Sequence, residues 1–469
     1  MNGAKIYFGN GKWETVTRFY FYQKENDFPF NNPFTGNVEN PGAVRDFQKG
    51  ASINNKGLLQ EFNFRFNDKN YLKSSVWVEN SWQQVQPNMQ TNYIYSGTQE
   101  IENDNVRIWT EYNHNSNPIK FKGGLGFVQD KQVFDNNEFQ IIATNRIVSE
   151  IQAEYDLTQK LGLKIGAKYK FIKPEVYAYA DSVIDHENYL DVFLSSFFQF
   201  NRQFRMTLNL RQMFVSNFKA PFTPSLGVEY NLRIGDFSFM KFTSAISRSF
   251  RIPTFNDRYW GIQGNPDLKP ESGKNYEFGT SFNIEKGKWQ SKIAINAFYM
   301  GVENWIEWRN FGVWMAQNVL EVVSKGIEFQ SNSSIPLGNA MGNFIFNYTF
   351  NSVQPIKNIS ETGIVNRQMI YVLKHMANVS FVMKLKKWQF FTDGHFTGSR
   401  FTDDFGFELD PYFLANCGII YQLFIQKHKF DITLSSQNIF NSDYQNERYY
   451  AMPGRSFRFS INYNIQLTK

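Results

Sequence analysis

The chain has 469 residues, of which 18% are aromatic, and it carries a formal net charge of +6. A single cysteine excludes an intrachain disulfide framework and a cysteine-based metal site. No run of 18 apolar residues occurs, which excludes a helical membrane span. The basic residues are spread along the chain without a Lys/Arg block or a nucleic-acid-binding motif, so we expect no nucleic-acid partner.

The first predicted element is a hairpin, in which Asn10-Gly11 joins two alternating, aromatic-rich runs. The alternation of apolar and polar residues then continues along the chain. It is clearest at residues 61–68, 203–211, 288–299 and 456–465. Because successive side chains of a β-strand point to opposite faces, each run has one apolar and one polar face. No convincing helical segment occurs, so the sequence predicts an all-β fold.

The connections between these runs alternate between short and long. Short connections are predicted near residues 9–11, 67–70, 113–118, 159–160, 201–202, 234–236, 286–288, 332–341, 386–387 and 425–428. Long connections are predicted near residues 25–57, 85–101, 131–145, 173–186, 215–223, 249–272, 306–313, 352–372, 399–411 and 437–455. This alternation is typical of a transmembrane antiparallel β-barrel, with tight turns in the periplasm and long loops outside.

The physics of a bilayer favours the same interpretation. Hydrocarbon offers no hydrogen bonds to the backbone, so strands can cross it only as a closed barrel. Tryptophans crowd the predicted strand ends, where the aromatic girdles of a barrel belong: Trp13, Trp77, Trp82, Trp109, Trp289 and Trp388. The alternative, a soluble β-sandwich or propeller, would have more uniform loops and fewer aromatic residues on a lipid face.

The alternation also assigns faces to side chains. One set is expected to face a polar interior: Arg65, Arg205, Arg211, Lys292 and Asn296. A second set is expected to face lipid: Phe64, Phe204, Leu208, Ile293 and Ile295. A shift of the strand register by one residue would turn every charge toward lipid. Each Arg or Lys near the middle of the bilayer would then destabilise the barrel by roughly 2–4 kcal/mol. Cys417 falls on an apolar run and is expected to face lipid.

The predicted strand count is odd. Twenty connections imply 21 strands, whereas bacterial single-chain barrels usually have an even number. By this count the first and last strands run in the same direction. The edges at residues 5–8 and 457–465 should therefore either pair in parallel or leave a gap of one strand, about 10 Å between edge strands.

Two segments carry recognisable motifs. In residues 247–282 a strand ends in Ser-x-x-Phe-Arg-x-Pro, and an Asn-Pro-x-Leu-Lys-Pro-Glu stretch leads into the next strand. In residues 435–465 an Asn-x-Phe…Tyr element and a Pro-Gly-Arg stretch lead into the last strand. Both motifs resemble the barrel signatures of TonB-dependent outer-membrane receptors. The matching residues are Phe250, Arg251, Pro253, Asn265, Pro266, Leu268, Lys269, Pro270 and Glu271 in the first, and Asn438, Phe440, Tyr444, Pro453, Gly454 and Arg455 in the second.

The resemblance covers essentially the whole chain and implies a barrel of 22 strands, of which about 21 are expected here. Family members also carry a plug domain and a TonB box. We expect residues 1–469 to be an N-terminally incomplete barrel without signal peptide, TonB box or plug, so that contact with the TonB complex would need a plug from elsewhere. The resemblance further implies a monomer that contacts lipid in the Gram-negative outer membrane.

The richness in Phe, Asn and Tyr and the early strands around residues 9–30 most resemble receptors of the Bacteroidota, and among them the cobalamin-type members. The resemblance therefore implies TonB-dependent uptake of a scarce, bulky nutrient, either cobalamin or an iron–siderophore, as a small-molecule ligand at the extracellular loops. A carbohydrate or peptide receptor of the same architecture and a plugless diffusion pore remain alternatives. No cofactor is expected.

Aromatic residues on or beside the long loops are the candidate ligand contacts at the outer mouth. They are Tyr259, Trp260, Trp305, Trp308, Trp314, Tyr449 and Tyr450. Large amphipathic rings suit the capture of a bulky, partly apolar ligand. The alternative for each ring is anchoring in the outer girdle or packing within a loop.

One predicted strand presents a set of polar residues on one face: Asp393, His395, Thr397 and Ser399. A carboxylate, an imidazole and a hydroxyl suggest a lipase-like barrel enzyme. However, neighbours on one face of a strand lie about 7 Å apart, which is too far for a proton relay. We therefore interpret these residues as a polar pore wall and expect no enzymatic activity.

Three short acidic clusters could bind calcium in the outer loops, namely Asp403 with Asp404, Glu102 with Asp104, and Asp181 with Asp185. The alternative is that they are solvated loop residues, so no metal site is assigned. The five histidines are scattered, which argues against a transition-metal site.

Overall fold

A computed structural model describes residues 2–34, 44–90, 99–179, 184–310, 312–358 and 367–465. Its strands are β1 (Asn2–Gly9), β2 (Trp13–Lys24), β3 (Phe28–Asn32), β4 (Val44–Gln48), β5 (Ile53–Arg65), β6 (Asn70–Gln84), β7 (Glu100–Ser116), β8 (Ile119–Phe134), β9 (Ile141–Thr158), β10 (Leu161–Val176), β11 (Glu187–Gln199), β12 (Phe204–Val215), β13 (Thr223–Gly235), β14 (Ser238–Arg251), β15 (Glu271–Lys286), β16 (Trp289–Asn310), β17 (Trp314–Leu337), β18 (Ala340–Asn358), β19 (His375–Leu385), β20 (Trp388–Thr397), β21 (Arg400–Phe401), β22 (Glu408–Leu409), β23 (Tyr412–Ile425), β24 (His428–Gln437) and β25 (Ser456–Ile465). The helical elements in these residues are α1 (Phe255–Tyr259) and the 3₁₀ turns Glu138–Gln140, Tyr177–Tyr179 and Gly261–Gln263. Within the ranges described, no helix has the length and apolar character needed to cross a bilayer.

Twenty-one of these strands form a single sheet. Each strand of the sheet pairs antiparallel with the next one along the chain, for example β14 with β15 and β15 with β16. The short hairpins β3–β4 and β21–β22 stand apart from it in the loops. The prediction of an all-β fold built on one large antiparallel sheet is confirmed.

The hairpin formed by β16 and β17 corrects two predicted connections. Residues 306–313 were expected to be a long loop, but the two strands stay paired as far as Asn310 opposite Trp314. The turn includes Gly312, whose φ of +94° favours glycine. At the other end, the short connection expected near residues 332–341 is mostly strand, since Leu337 pairs with Ala340. The hairpin is therefore taller than the alternation of polar and apolar residues indicated.

The strands β1 and β25 are the edges of the sheet. In the described residues, β1 pairs with β2 alone and β25 pairs with β24 alone. Side chains along both strands are almost all exposed. Because successive strands alternate in direction, the two edges run the same way. No seam joins them in the part of the chain that the structure describes.

The sheet separates charged from apolar side chains. Arg205 lies opposite Glu229, which forms an ion pair with Lys241 at 2.8 Å. On the other face Leu208 lies opposite Leu226, and both are exposed. In a bilayer the apolar face must contact lipid, so the charged face lines the interior.

The expected side-chain faces agree with the strand register. The residues predicted to be inward share the charged face: Arg65, Arg205, Arg211, Lys292 and Asn296. Those predicted to contact lipid share the apolar face: Phe64, Phe204, Leu208, Ile293 and Ile295. Cys417 is exposed and lies on the apolar face, opposite Thr392 and Ser436. The period of two was sufficient to assign these sides.

One aromatic ring on the inner wall depends on glycines of the neighbouring strand. A Cβ added at Gly124 of β8 would overlap Cζ2 of Trp109 on β7. At Gly126 an added Cβ would stand 2.5 Å from Cε3 of the same ring. Two glycines thus let the Trp109 ring lie against the wall. By contrast, a Cβ at Gly227 would meet nothing within 4 Å.

Candidate functional site

The long connections meet at one end of the sheet, where an ion pair closes the segment between β14 and β15. Arg251, the last residue of β14, lies opposite Glu271, the first residue of β15. The guanidinium donates from Nε to Oε2 at 2.8 Å and from Nη2 to Oε1 at 2.5 Å. Such bidentate contacts fix geometry as well as charge. These two residues of the first motif therefore tie together the two ends of the loop.

Inside that loop, α1 begins with a reciprocal cap. Thr254 Oγ1 accepts from the Asp257 backbone N–H at 3.1 Å, and Asp257 Oδ2 accepts from the Thr254 N–H at 2.8 Å. Asp257 Oδ1 also accepts from Trp308 Nε1 at 3.0 Å, which connects the helix to β16. The expectation of no helix was wrong here. The sequence did carry the signal, since an acidic residue three positions after threonine is a capping pattern.

Three further residues of the first motif, Asn265, Leu268 and Lys269, hold the hairpin of β16 and β17. Asn265 Nδ2 donates to the Ala316 carbonyl at 3.3 Å. Lys269 exchanges two hydrogen bonds with the Asn318 side chain, at 2.8 and 2.9 Å. Leu268 is 3% exposed and packs in a cluster with Ala316. The motif thus stabilises one large loop against the next hairpin.

A second, fully buried ion pair anchors the same loop to β11. Arg258 Nη1 lies 2.7 Å from Glu187 Oε2, and the two side chains are 1% and 0% exposed. Three rings surround the guanidinium at about 5 Å, those of Phe218, Phe255 and Tyr259. Sequence reasoning missed this pair, because its members lie far apart in the chain and no local pattern links them.

The candidate aromatic residues fall into separate groups. Tyr259 stacks on Arg258, and the ring of Trp260 meets that of Tyr179 edge-on with centroids 6.3 Å apart. The Tyr179 hydroxyl hydrogen-bonds the Asn256 side chain, and burial raises the pKa of Tyr179 to about 12. These contacts are the loop packing that the alternative interpretation predicted.

The tryptophans of the tall hairpin differ in exposure. Trp305 packs against Val322 and Val353, and Trp308 is held by its hydrogen bond to Asp257. Trp314, beside the turn, is 54% exposed. Of these three tryptophans Trp314 is the exposed one, and its role in ligand binding stays a prediction.

The last pair lies at the loop before β25. The ring of Tyr449 lies 5.4 Å from that of Phe34, and the Arg448 guanidinium lies 4.6 Å above it. The carbonyl of Tyr449 accepts from the Met89 N–H at 2.8 Å, which joins three loops. Tyr450 is half-buried beside it. A role for these rings in ligand binding stays a prediction.

The second motif shapes the same loop. Asn438, in the left-handed conformation with φ of +47°, exchanges two hydrogen bonds of 2.9 Å with the backbone of Ser442. Asn441 Oδ1 accepts from the Arg455 N–H at 2.9 Å. The ring of the motif residue Tyr444 lies tilted against that of Tyr412, with centroids 4.8 Å apart. Phe440 is 65% exposed and Arg455 is also exposed, while Pro453 and Gly454 are half-buried.

Two arginines hold the loop after β20: Arg448 joins it to the loop before β25, and Arg367 joins it to the connection between β18 and β19. Arg448 Nη1 lies 3.0 Å from Asp403 Oδ2, while Asp403 Oδ1 accepts from the backbone N–H groups of residues 405–407 at 2.9–3.2 Å. Arg367 donates to the carbonyls of Asp403 and Asp404 at 3.1 and 3.0 Å. Asp403, a calcium candidate from the sequence, is thus engaged by an arginine and a turn.

The remaining acidic candidates are also engaged within the protein. Glu102 and Asp104 both accept from Asn80 Nδ2, at 3.0 and 2.8 Å. Asp185 hydrogen-bonds His186 at 2.9 Å, which lowers the pKa of Asp185, while Asp181 lies outside the described residues. Across the described ranges, no group of three or more His, Cys, Asp or Glu side chains is arranged to hold a metal ion.

The polar set on β20 forms a hydrogen-bonded wall. His395 Nε2 lies 3.1 Å from Asp393 Oδ2, and His395 Nδ1 lies 2.6 Å from Asn378 Oδ1. Both imidazole nitrogens are therefore engaged by residues other than Thr397 or Ser399, and Ser399 is exposed. The geometry supports the pore-wall interpretation over a nucleophile activated by a base.

The sheet, its two faces and the network of loops at one end define a transmembrane β-barrel of the receptor type. A family model described as "TonB dependent receptor-like, beta-barrel" matches residues 4–463. The chain belongs to this family, whose members are proteins of the Gram-negative outer membrane, and that is where we place it.

Curated relatives and solved structures agree with this assignment. The chain is 26% identical over 337 residues to the vitamin B12 transporter BtuB of Photobacterium profundum, covering 69% of this chain and 51% of the relative. It is 23% identical over 259 residues to BtuB of Vibrio vulnificus, covering 50% of this chain and 36% of the relative. The chain thus spans about half or less of each relative's length.

Two solved structures share the fold. A mutant of the ferric enterobactin receptor PfeA from Pseudomonas aeruginosa matches with a TM-score of 0.72 at 13% identity, covering 98% of this chain and 76% of that one. The FrpB iron transporter from Neisseria meningitidis (F3-3 variant) matches with a TM-score of 0.73 at 13% identity, covering 98% and 78%.

Proposed function

We propose that this barrel serves TonB-dependent uptake of a scarce, bulky nutrient, and that a corrinoid of the cobalamin type is its ligand. The observation that carries the proposal is the likeness to two vitamin B12 transporters, which extends over 69% of the chain for the first. Coupling to the inner membrane needs a plug domain, and this would lie outside the barrel residues 4–463.

The loop-bearing end has chemistry that suits such a ligand. Trp314, Phe405 and Phe407 are more than half exposed there. Arg448 lies 4.2 Å from the centre of the Phe407 ring and pairs with Asp403, and Arg367 donates to the Asp404 carbonyl beside Phe405. A large ligand with apolar faces and a polar rim can meet rings and hydrogen-bonding groups together. An iron chelate is the second candidate, supported by the fold shared with the enterobactin receptor.

The purified chain tests the proposal by equilibrium dialysis against cyanocobalamin and against ferric enterobactin. We expect retention of cyanocobalamin and none of ferric enterobactin. Retention of the iron chelate alone would transfer the assignment to the second candidate. Conductance across planar bilayers provides a separate readout, because a steady large pore with affinity for neither ligand would indicate diffusion.

A further inference from the structure

Three cations cluster on the lipid-facing side of the barrel near its loop-bearing end. Arg248 of β14 lies directly opposite Lys274 of β15. Lys325 of β17 lies opposite Tyr299 of β16, one step closer to the middle of the sheet. All three side chains are exposed. They lie on the apolar face of the sheet. Ile246 and Tyr276, which are two residues away along β14 and β15, form the next cross-strand pair on that face.

No carboxylate forms an ion pair with these cations in the described residues, although Glu303 is a diagonal neighbour of Lys274 by register. Like charges directly opposite each other on neighbouring strands destabilise a sheet. Arg248 donates to Ser272 Oγ at 3.2 and 3.3 Å, which satisfies hydrogen bonds without balancing charge. Within the described residues no ion pair joins Arg248, Lys274 or Lys325 to a carboxylate. Glu303, exposed opposite Ser272, is the nearest carboxylate on this face by register.

Glycine leaves a hollow among the three cations. Gly301 of β16 lies opposite Lys274, and a Cβ built there would meet only the Tyr299 ring, at 3.7 and 3.9 Å. Tyr299 and Tyr276 stand below the hollow with ring centroids 6.2 Å apart. The floor is thus aromatic, and the cations surround it on two sides.

The position of the hollow relative to the membrane indicates which molecule would occupy it. Immediately below the two tyrosines the face is apolar and exposed, with Phe278 at 56% and Ile327 at 51%. Tyrosines of this kind mark the level of the headgroups at a membrane surface. Cations at that level attract anionic headgroups, while the adjacent apolar wall contacts the acyl chains.

We propose that Arg248, Lys274 and Lys325 form a site for the phosphate of an outer-leaflet lipid headgroup. The phosphate would lie in the hollow above Gly301, and the acyl chains would follow the apolar wall beneath. The site is on the outside of the barrel and is independent of the nutrient that passes through it.

Native mass spectrometry of the detergent-solubilised chain tests this with dioleoylphosphatidic acid, dioleoylglycerol and inorganic phosphate as probes. We expect retained phosphatidic acid to exceed retained diacylglycerol by about tenfold. The variant Arg248→Gln/Lys274→Gln/Lys325→Gln should lose that preference. Equal retention of both lipids, or displacement of phosphatidic acid by inorganic phosphate at equal concentration, would overturn the proposal.

A matched control removes the same charge elsewhere on the same face. Lys56→Gln/Lys131→Gln/Lys173→Gln changes three exposed lysines, of which Lys131 lies opposite Asp104 and Lys173 lies 4.0 Å from Glu175. This control should keep the preference, and an equal loss would mean that only net charge matters. If the first variant does not fold, Lys274→Gln and Lys325→Gln alone should each reduce retention, and unchanged retention in both would contradict the site.

Discussion

Arg251 and Glu271 form a bidentate ion pair at the register position where β14 and β15 first meet, and Glu271 Oε1 also accepts from the Ile306 N–H at 2.9 Å. One carboxylate therefore holds both ends of its own loop and the upper part of the tall hairpin. This couples two segments of the outer mouth through a single side chain.

Glu271→Gln should loosen that mouth. The amide keeps some hydrogen bonding but loses the charge, so we expect local opening of residues 252–270 to become easier by about 1–3 kcal/mol. Hydrogen exchange of that segment is the measurement. Glu285→Gln, an exposed position on the same strand, is the control and should leave exchange unchanged. Equal protection in wild type and Glu271→Gln would show that the ion pair does not hold the loop.

Arg258→Ala should be more damaging, because it leaves Glu187 buried without its partner. Breaking a buried pair on one side costs about 3–5 kcal/mol. Thermal unfolding in lipid vesicles measures the effect. The exposed pair of Arg233 and Asp236, at 73% and 89% side-chain exposure, provides the control, and Arg233→Ala should cost about 0–1 kcal/mol. Similar losses for both variants would contradict the role assigned to burial.

Leu208→Arg tests which face meets lipid. A charge on the lipid face should cost roughly 2–4 kcal/mol near mid-bilayer, whereas Asn209→Arg on the inner wall should be tolerated. Unfolding of both variants in the same vesicles gives the comparison. A larger loss at Asn209 than at Leu208 would reverse the assignment of the two faces.

Gly124→Ala should force the ring of Trp109 off the inner wall. The added Cβ would overlap that ring, so we expect a loss of about 1–3 kcal/mol and a change in tryptophan fluorescence. Gly227→Ala is matched in chemistry but has open space around it. It should change neither quantity, and a fluorescence change there would point to a general effect of replacing glycine.

Trp314→Ala tests whether the exposed ring at the outer mouth of the barrel contacts the ligand. Removing its exposed ring should weaken cyanocobalamin binding about tenfold, which corresponds to about 1.4 kcal/mol. Equilibrium dialysis measures this, with Trp289→Ala at the turn-bearing end as the control. An unchanged affinity in Trp314→Ala would remove this ring from the ligand site.

The faces of the sheet were predictable because they depend on a period of two. Placing Arg205 on one side and Leu208 on the other needs only the alternation within one strand and the cost of a charge in lipid. The height of the β16–β17 hairpin was not predictable in this way. Its upper part, around Trp308, leaves the bilayer, where the burial of apolar residues no longer imposes alternation.

The loop network could not be predicted for a different reason. Glu187 and Arg258 find each other only after two loops have folded over the same end of the sheet, and neither residue sits in a pattern that indicates burial. The motif containing Arg251 and Glu271 was recognised, but its amino-acid sequence did not indicate that these two residues form an ion pair. The capping pattern at Thr254 was readable and was missed.

Because β1 and β25 run in the same direction, both edges can form antiparallel pairs only with strands that run in the opposite direction. Two copies inserted in one membrane with their loops on the same side would present all four edges in parallel. Antiparallel pairing between such copies is therefore impossible by symmetry, and parallel pairing is the slightly weaker kind. Each edge therefore pairs best with a strand that runs in the opposite direction. Such a strand enters the membrane from the turn-bearing side and ends among the loops.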